Sequence, residues 1–492
     1  MHVEIAGKKR LVLIDDIYLA LTIIIIIANS ATLASLQSLS RVSAYSSNGS
    51  SFTHDPLAGM LYIANPQSNS ISVVDLTKNS ILKNITLGTV PYDIKLSEDQ
   101  LTLYVTDMHS GTISTINTTS NELIKQIPTG VHPISDIAIV NGTLYVADAS
   151  SGKILLINKD DTIANTISVG SRPRDMEMRP DGQVLYVANE GGSISVVDLK
   201  LNKTIKEIDS EDTPEGLSFT KDGSKLFFVN TKGGTLSAVD AYKHETIKNI
   251  PVGSSPKYIA LSPDERLAYV TNTDSNTVSV VDTREIELIN EIPVGYGPYG
   301  IALSADGDLM YVSNTRENDV SVINTTSTRV IAIFPSGGTG PHQIVARKPD
   351  IDIIRTADNY NSSTIAHVFL EVADNEDEMI RGLMFRKNLP WNLGMLFVFY
   401  NDAPRTFWMK NTLIPLDMIF VDSNLKIVDI KQNVPPCAQG DECPVYPSKE
   451  PAQYVLEVNA GFVRESGIKI GDRFVTANEL NKGYHNHSCL LP

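Results

Sequence analysis

The sequence predicts a mainly β protein in which a seven-bladed β-propeller precedes a small β-barrel-like α+β domain, with one N-terminal transmembrane or signal helix. Three observations predict this fold class: an uncharged apolar run near the N-terminus, a strand-rich motif repeated seven times, and a change of pattern after residue 350. The predicted segments are 1–45 (cytoplasmic stub with the anchor or signal), 46–350 (propeller), 351–363 (linker), 364–478 (C-terminal domain) and 479–492 (tail).

Composition excludes several function classes. The 492-residue chain has 41 Lys and Arg against 57 Asp and Glu, a formal net charge of −16, which argues against a nucleic-acid partner. Three Cys exclude a disulfide-rich scaffold, and nine His are too few for a multi-copper or multi-haem enzyme. We therefore expect neither a cofactor nor a metal site.

The N-terminal apolar run, residues 17–36, contains 20 residues without a charge. A helix of that length spans about 30 Å, which is the thickness of the hydrocarbon core of a bilayer. Lys8, Lys9 and Arg10 precede the run, so the N-terminus is expected in the cytoplasm and the rest outside. As an uncleaved anchor the run predicts a single-pass cell-membrane protein with an extracellular C-terminal part. As a signal peptide cleaved near 42–44 it predicts a secreted protein.

Export would also expose sites for N-glycosylation. The acceptor triplet Asn-x-Ser/Thr begins at Asn48, Asn84, Asn117, Asn141, Asn202, Asn324, Asn361 and Asn486. Turn-rich sequences contain such triplets by chance as well, so the sequence does not determine which of them are glycosylated.

Self-similarity dominates residues 60–350. An aromatic residue within a short apolar run recurs every 41 or 42 residues, at Tyr62, Tyr104, Tyr145, Tyr186, Phe227, Tyr269 and Tyr311. Each period divides into four strand-like pieces, and in the sixth repeat these are YIALS (258–262), AYVTN (268–272), VSVVD (278–282) and LINEIPVG (288–295). Four strands in this length are typical of a propeller blade. Because the first repeat lacks its inner strand, we expect the extra segment 342–347 to pair with the first blade and close the ring.

Asn or Asp ends the second and third strand of every repeat. These fourteen short polar side chains could suggest metal ligands, but Asn and Asp also cap turns through hydrogen bonds to the backbone. We interpret them as turn caps.

The YVTN-type repeats, with SPDG-like turns and I-P-V-G strand endings, resemble the archaeal surface-layer and YVTN β-propeller repeat family. The resemblance covers nearly 300 residues. It implies the propeller fold and leaves function open, since propellers include binding modules and several unrelated enzymes.

A candidate binding face follows from comparing equivalent positions in the repeats. A Pro leads from each fourth strand into the next inner strand, and the residues beside these Pro differ from repeat to repeat. A constant frame that carries varied polar and aromatic groups suits a binding face, although unconstrained surface variation gives the same pattern. The candidate binding residues are Tyr92, His132, Arg174, Lys257, Tyr299 and His342.

An enzymatic propeller is the alternative. A lactonase-like hydrolase needs a convergent set of His, Arg and carboxylate. The loops could supply such a set from His132, Arg172, Arg174 and Glu215. Spacing alone does not show that these side chains converge, and we predict no catalytic residues.

A different pattern begins near residue 364. Predicted strands include 365–373, MLFVFY (395–400), LDMIFVD (416–422), LKIVDI (425–430) and QYVLEV (453–458), with a short helix that opens at Asn375. The signatures RGLMFR (381–386), FWMKNTLIPLD (407–417), NVPPC (433–437), CPVYPS (443–448) and YVLEVNAG (454–461) closely resemble the prokaryotic domain-of-unknown-function family 192. This resemblance implies a compact β-barrel-like domain and no known reaction.

Polar residues within or beside the apolar strands of this domain form a second candidate site. Charged groups in such places are costly unless they are paired. One interpretation is a structural cluster, for instance Lys410 with Asp417 or Glu457. The other is a small-ligand or sugar site with Trp408 as a stacking platform. The candidate residues are Trp408, Lys410, Asn411, Asp417, Glu457 and Asn459.

Cys437 and Cys443 flank a short loop in a domain that we expect to be exported, so a disulfide is the first interpretation and a metal pair the second. Cys489 would then remain free or link two chains.

Together these features predict an exported, membrane-anchored propeller at the cell surface that acts as a binding or scaffold module for protein or glycan partners. The alternative is an exported enzyme, lactonase-like or another hydrolase, with its site in the propeller channel or in the C-terminal domain.

Overall fold

The computed structural model describes residues 2–5, 8–11, 59–76, 80–107, 109–131, 134–140, 142–210, 212–356, 362–374, 376–437 and 442–476. Strands β1 (His2–Ile5) and β2 (Lys8–Leu11) pair antiparallel and belong to a separate compact unit, 1–53. The described residues include no helix long and apolar enough for a membrane span. The predicted span, 17–36, and the predicted cleavage site lie outside those residues.

Seven four-stranded antiparallel sheets form a propeller, as the repeats predict. Blade 1 combines β3 (Met60–Asn65), β4 (Ser70–Asp75) and β5 (Ser80–Thr86) with β30 (Ile344–Arg347), and a 3-10 turn lies at Pro66–Ser68. Blade 2 comprises β6 (Pro91–Leu96), β7 (Thr102–Asp107), β8 (Thr112–Asn117) and β9 (Glu122–Pro128). Blade 3 comprises β10 (Ile134–Val140), β11 (Thr143–Asp148), β12 (Lys153–Ile157) and β13 (Ile163–Ser168). Blade 4 comprises β14 (Pro173–Met178), β15 (Val184–Asn189), β16 (Ser193–Asp198) and β17 (Lys203–Asp209).

The remaining three blades follow the same order from the channel outwards. Blade 5 comprises β18 (Pro214–Phe219), β19 (Lys225–Asn230), β20 (Thr235–Asp240) and β21 (Glu245–Pro251). Blade 6 comprises β22 (Pro256–Leu261), β23 (Leu267–Asn272), β24 (Thr277–Asp282) and β25 (Glu287–Pro293). Blade 7 comprises β26 (Pro298–Leu303), β27 (Leu309–Asn314), β28 (Asp319–Asn324) and β29 (Arg329–Pro335).

The ring closes where the sequence predicts. Strand β30 supplies the inner strand of blade 1 and pairs with β3, with Ile344 opposite Ile63 and Ala346 opposite Leu61. The amide of Ala64 also donates to the carbonyl of Gln343 at 3.0 Å. The last part of the repeat array therefore completes the first blade.

The repeated aromatic residue joins one blade to the next. Tyr186 is fully buried and packs with Leu217 and Phe228 of blade 5, while Tyr311 of blade 7 packs with Leu61 of blade 1. Side chains on alternate strand positions reach opposite faces of a sheet, so one blade buries its apolar faces only against its neighbours.

The polar strand ends have two structural roles. At the end of third strands they cap turns, as predicted: the Asp282 carboxylate accepts the amides of Arg284 and Glu285. At the end of most second strands the Asn lies inside the blade instead, as in blade 6, where Asn272 Nδ2 donates to Ser279 Oγ at 2.9 Å. Gly253, at the end of the preceding blade, packs on this amide, and a Cβ there would lie 2.6 Å from Asn272 Cγ. The glycine of the I-P-V-G ending thus allows neighbouring blades to approach each other closely.

The closure makes a stability prediction. Ile344 is 2 % exposed and packs between blades 7 and 1, so Ile344→Ala should lower the free energy of unfolding by about 2 to 4 kcal/mol. The control Ile289→Ala, on an exposed outer strand, should change it by less than about 0.5 kcal/mol. Urea unfolding of the full chain measures both, and equal effects would contradict the closure.

The C-terminal domain is a curved seven-stranded sheet whose strand order is β36-β35-β38-β33-β32-β31-β39. Its strands are β31 (Asp350–Thr356), β32 (Ser362–Ala373), β33 (Leu393–Ala403), β35 (Leu416–Val421), β36 (Ile427–Val434), β38 (Ala452–Asn459) and β39 (Arg473–Thr476). Its remaining elements are β34 (Thr406–Trp408), which pairs with β37 (Val445–Pro447), and the helices α1 (Glu376–Arg381) and α2 (Phe462–Ser466). A bridge between Lys426 and Arg473 joins the two edges of the sheet, which gives the barrel-like form.

Strand β31 lies in the segment that the sequence predicts as a linker, 351–363. Its residues Ile351 and Ile353 are buried in the C-terminal core, and the strand pairs with both β32 and β39. The domain therefore begins directly after the propeller, because this segment alternates apolar and polar residues and forms the sheet's penultimate strand.

The C-terminal domain packs on the propeller face formed by turns between first and second strands. Arg381 Nη1 donates to the carbonyl of Asp264 at 2.9 Å, and Asn392 Nδ2 donates to that of Asp99 at 2.8 Å. At the junction, Lys348 Nζ lies 2.6 Å from Glu371, which also pairs with Arg386. Burial would raise the pKa of Glu371, but the two cations lower it well below its usual value.

His367 makes this junction sensitive to pH. Its ring lies 3.2 Å from Asp350 and 2.9 Å from Asp352, and hydrogen bonds to these carboxylates raise its pKa to about 9. A folded-state pKa above that of the unfolded chain stabilises the fold fully below about pH 6.5, and this stability is lost as the pH rises through about 9.

Raising the pH from 6.5 to 9.5 should therefore lower the free energy of unfolding of the wild-type protein by about 1 to 2 kcal/mol more than that of His367→Gln. This range includes an allowance for solvent screening. Urea unfolding at the two pH values measures this difference, with His109→Gln as a control that should behave like wild type. An identical pH dependence of wild type and His367→Gln would contradict the assignment.

Candidate functional site

The mouth of the central channel gathers most of the predicted binding residues. The rings of Tyr299 and His342 stack, with centroids 3.6 Å apart and planes at 27°. Tyr92 lies 4.8 Å from the His342 ring, and its carbonyl accepts a hydrogen bond from His342 Nδ1 at 3.1 Å. Burial lowers the pKa of His342 to about 4, so this imidazole is neutral near pH 7. The aromatic groups thus form one preorganised wall.

The basic residues of the mouth are paired with acids. Arg174 Nε lies 3.1 Å from Glu190, and its Nη1 donates to the Tyr92 hydroxyl at 3.3 Å. Lys257 Nζ lies 2.9 Å from Glu215. In the set suggested for a lactonase-like hydrolase, Arg172 and Arg174 both pair with Glu190. Glu215 pairs with Lys257. These described members therefore form no free convergent group. His132 lies outside the described residues.

The frame of the mouth comes from side chains that link one blade to the next. Thr231, Thr273 and Thr315 follow the second strands of blades 5, 6 and 7. Each hydroxyl donates to the carbonyl of the Pro that opens the next inner strand, at 3.0, 2.8 and 2.7 Å respectively. These bonds fix the starting point of three inner strands and hence the position of the side chains beside each Pro.

A layer of carboxylates lies deeper on the inner strands of blades 2, 3 and 4. Lys95 Nζ is 3.0 Å from Asp136 and 3.9 Å from Glu177, and it donates to the carbonyl of Met176 at 2.8 Å. Asp175 accepts the amides of Met176 and Leu217 at 2.9 and 2.8 Å. Asp93, 2 % exposed, completes this acidic layer, which is defined by Asp93, Asp136, Asp175 and Glu177.

The layer has an unusual protonation behaviour. Burial raises the pKa of Asp136 to about 8 and those of Asp175 and Glu177 to about 7, and it also raises that of Asp93. Burial lowers the pKa of Lys95, but the surrounding carboxylates outweigh this effect and raise that pKa above its usual value. The carboxylates therefore stabilise the ammonium form of Lys95.

The acidic layer is not predicted from the sequence. Its signal was a charged residue two to four positions after the Pro in an otherwise apolar inner strand, at Asp93, Lys95, Asp136, Asp175 and Glu177. Blades 5 and 7 have Gly216 and Gly300 two positions after the Pro. A Cβ at either glycine would lie within 2.6 Å of the backbone of the next blade.

No group of three or more His, Cys, Asp or Glu within the described part of the chain could hold a metal ion.

The candidate residues of the C-terminal domain lie on β34, β35 and β38 and in the segment that follows β34. Asp417 is fully buried and accepts the amides of Asn433, Gly461 and Val463, so it holds the start of α2. Asn459 Nδ2 donates to the carbonyls of Leu389 and Pro390. Both residues have structural roles.

Among the described residues, Lys410 forms no ion pair with Asp417 or Glu457. Lys410 is exposed and its Nζ lies 5.2 Å from the centre of the Trp408 ring. Glu457 lies opposite Met395 and Met418 in the sheet, and burial raises its pKa to about 8. Asn411 has a left-handed backbone, with φ of 56°, and its Nδ2 lies 3.8 Å from Met384 Sδ.

Trp408 does line a groove of about 610 Å³, as a stacking site requires. The groove is mainly apolar and aromatic, and its residues are Asp374, Met379, Ile380, Phe397, Phe399, Tyr400, Thr406, Phe407 and Trp408. Cys437 and Cys443 form a disulfide with an S–S distance of 2.05 Å. Cys437 forms β-bridges with Lys410 and Thr412, so it lies beside the segment that follows Trp408.

Family comparisons agree with a two-part architecture. Residues 92–299 match the sequence model of the Choice-of-anchor I domain, and residues 358–476 match that of the DUF192 family, described as Uncharacterized ACR. The second match confirms the C-terminal domain that the motifs predict. The propeller match is to a choice-of-anchor domain, and the YVTN surface-layer type stays a prediction.

Two relatives illustrate these similarities. A UPF0127 protein of Thermococcus gammatolerans is 28% identical over 114 residues, which cover 23% of this chain and 70% of that protein. A protein of unknown function from Desulfotomaculum acetoxidans has a TM-score of 0.53 at 16% identity, covering 59% of this chain and all of that one. At 16% identity, the similarity to the Desulfotomaculum acetoxidans protein supports a shared fold and nothing more.

The acidic layer predicts a pH-dependent role for Lys95. Lys95→Met leaves Asp136 without its cation, so it should destabilise the fold by about 3 to 5 kcal/mol at pH 8. The loss should be smaller at pH 5, where the acids with pKa values near 7 and 8 are neutral in the folded state.

Urea unfolding at both pH values measures the two losses. Lys83→Met, an exposed lysine on the outer strand of blade 1, is the matched control and should cost less than about 0.5 kcal/mol. An equal loss for Lys95→Met at pH 5 and pH 8 would count against the ionic role.

Proposed function

We propose that the protein is an exported, surface-anchored β-propeller of the YVTN, surface-layer-like type that binds protein or glycan partners through the mouth of its central channel. The observation that carries this proposal is the preorganised mouth, where Tyr299 stacks on His342, Tyr92 packs against the same His342 ring, and Arg174 donates to the Tyr92 hydroxyl. Preorganised side chains lose little entropy on binding, and aromatic and Arg residues supply much of the energy at binding surfaces.

The placement at the cell surface has separate support. The match of 92–299 to a Choice-of-anchor I domain favours an anchored propeller, and the apolar run 17–36 is long enough to be the anchor. The C-terminal domain packs on the opposite face of the propeller, so the mouth is left for partners.

A hydrolase is the second candidate function, and Glu177 favours it. This carboxylate lies in the channel with 39% of its side chain exposed, and burial raises its pKa to about 7, a value suited to general acid–base catalysis. Turnover of lactone or ester substrates that is lost in Glu177→Gln would favour the hydrolase over the binding module.

Partner capture tests the binding proposal. Full-length protein immobilised in membranes should retain a defined cell-surface protein or glycan fraction, and Tyr299→Ala with His342→Ala should lower retention at least tenfold because it removes the aromatic wall. Tyr242→Ala removes an aromatic residue that is 55% exposed on a turn between outer strands and should leave retention unchanged. Equal retention by all three proteins would refute binding at the mouth.

A further inference from the structure

The acidic layer contains a buried carboxylate oxygen that lacks a hydrogen bond. Asp93 is 2 % exposed, and its Oδ1 has no hydrogen-bond partner among the described residues. The backbone amide of the same residue is satisfied by Thr106 Oγ1 at 3.0 Å. The carboxyl group of Asp93 shares a hydrogen bond with Asp136 and receives one from the Ile94 amide, which leaves Oδ1 as its unsatisfied atom among the described residues. A buried oxygen without a donor is costly, so a donor supplied from outside would remove a penalty that the free protein carries.

The charges around Asp93 favour a cation as that donor. Four carboxylates form the layer, and the described side chains place one cation, Lys95, against it. The other two nearby cations are engaged at the mouth, Arg174 by Glu190 and Lys257 by Glu215.

Lys95 itself shows which kind of cation the channel holds. Its ammonium group is bound by the Asp136 carboxylate at 3.0 Å and by the Met176 carbonyl at 2.8 Å. Oxygen acceptors at this depth are thus arranged around an N–H donor, and the described residues provide no three-ligand metal group. An alkylammonium fits this chemistry better than a metal ion does.

Aromatic rings lie close to the acids. The Tyr258 ring lies 5.4 Å from that of Tyr299, and the charges of Asp93 and Asp175 act on the Tyr258 hydroxyl. A cation that passes these rings gains from their electron-rich faces as well as from the acids.

The depth of the acids sets the shape of the ligand. In β6, Asp93 comes one residue after Tyr92, and in β14, Glu177 comes three residues after Arg174. At about 3.3 Å per residue, the acidic layer lies about 3 to 10 Å deeper along the inner strands than these mouth residues. A lysine side chain carries its ammonium on a slender four-carbon stem of matching reach. The amino group of a sugar has no such stem.

We propose that the channel receives a lysine side chain of a protein partner, whose ammonium group binds Asp93 beside Asp175 beneath the rings of Tyr92, Tyr258 and Tyr299. This inference rests on the proposed function, since the partner docks at the mouth, and it names the group that the partner inserts.

Isothermal titration of the full-length protein with Nα-acetyl-lysine N-methylamide tests the proposal. We expect saturable binding that is at least tenfold weaker for the same compound acetylated on Nζ and at least tenfold weaker in Asp93→Asn. Asp209→Asn, which removes an exposed carboxylate of blade 4, should bind like wild type. Equal affinity for both compounds, unchanged affinity in Asp93→Asn, or preference for glucosamine would overturn the proposal.

Proton release gives a second readout that needs no variant. Burial raises the pKa of Asp93, and an ammonium that binds its carboxylate should lower that pKa and release protons. The observed heat of binding should then depend on the ionisation enthalpy of the buffer. The titratable and charged groups that act on Asp93 are Lys95, Asp136, Asp175, Tyr92 and Tyr258. Uptake of protons on binding, or no exchange at all, would contradict a carboxylate that ionises against the ammonium.

The proposal and the function on which it rests fail in different ways. If retention of the partner depends on Tyr299 and His342 while the lysine compound does not bind, the lysine assignment fails and binding at the mouth stands. If retention is unaffected by the mouth variants, the proposed function fails whatever the lysine compound does.

Discussion

Closure of the ring is the constraint on which the rest of the structure depends. Each blade buries its aromatic residue against the next blade, so the sheets are stable only when the last one meets the first. The pairing of β30 with β3 supplies that contact. It also fixes where the chain leaves the propeller, because Lys348 and strand β31 follow directly and lead into the C-terminal domain. The closure therefore determines the position of the second domain as well as the shape of the channel.

The two faces of the ring then differ in what they can do. One face is formed by turns between first and second strands and carries the C-terminal domain through Arg381, Asn392 and the Glu371 ion pairs. The other is formed by the Pro loops and presents the stacked Tyr299 and His342. Between them lies the acidic layer, which no single blade could build, since Lys95 contacts acids of two other blades. The acidic layer lies deeper along the inner strands than the aromatic residues and the ion pairs of the mouth.

The sequence predicts the propeller well because its information is local and repeated. The aromatic period, the strands of the sixth repeat and the closing segment 342–347 all follow from patterns within about 40 residues, and the structure confirms them. The candidate mouth residues were also found this way, since a constant Pro marks equivalent loops. The acidic layer was not found, because Asp93, Asp136 and Asp175 are separated by about 40 residues each and meet only across the ring. In the C-terminal domain, Asp417 and Asn459 bind backbone groups of loops that are distant in the sequence. The spacing of residues does not specify such long-range contacts.

Hydrogen–deuterium exchange of the full-length chain tests the closure most directly. The account predicts that the amides of β30 and β3 exchange as slowly as those of β23 and β24 in blade 6, because all of them open only when the ring unfolds. Rapid exchange of β30 together with slow exchange of blade 6 would show that the ring is stable without this pairing, and would contradict the account.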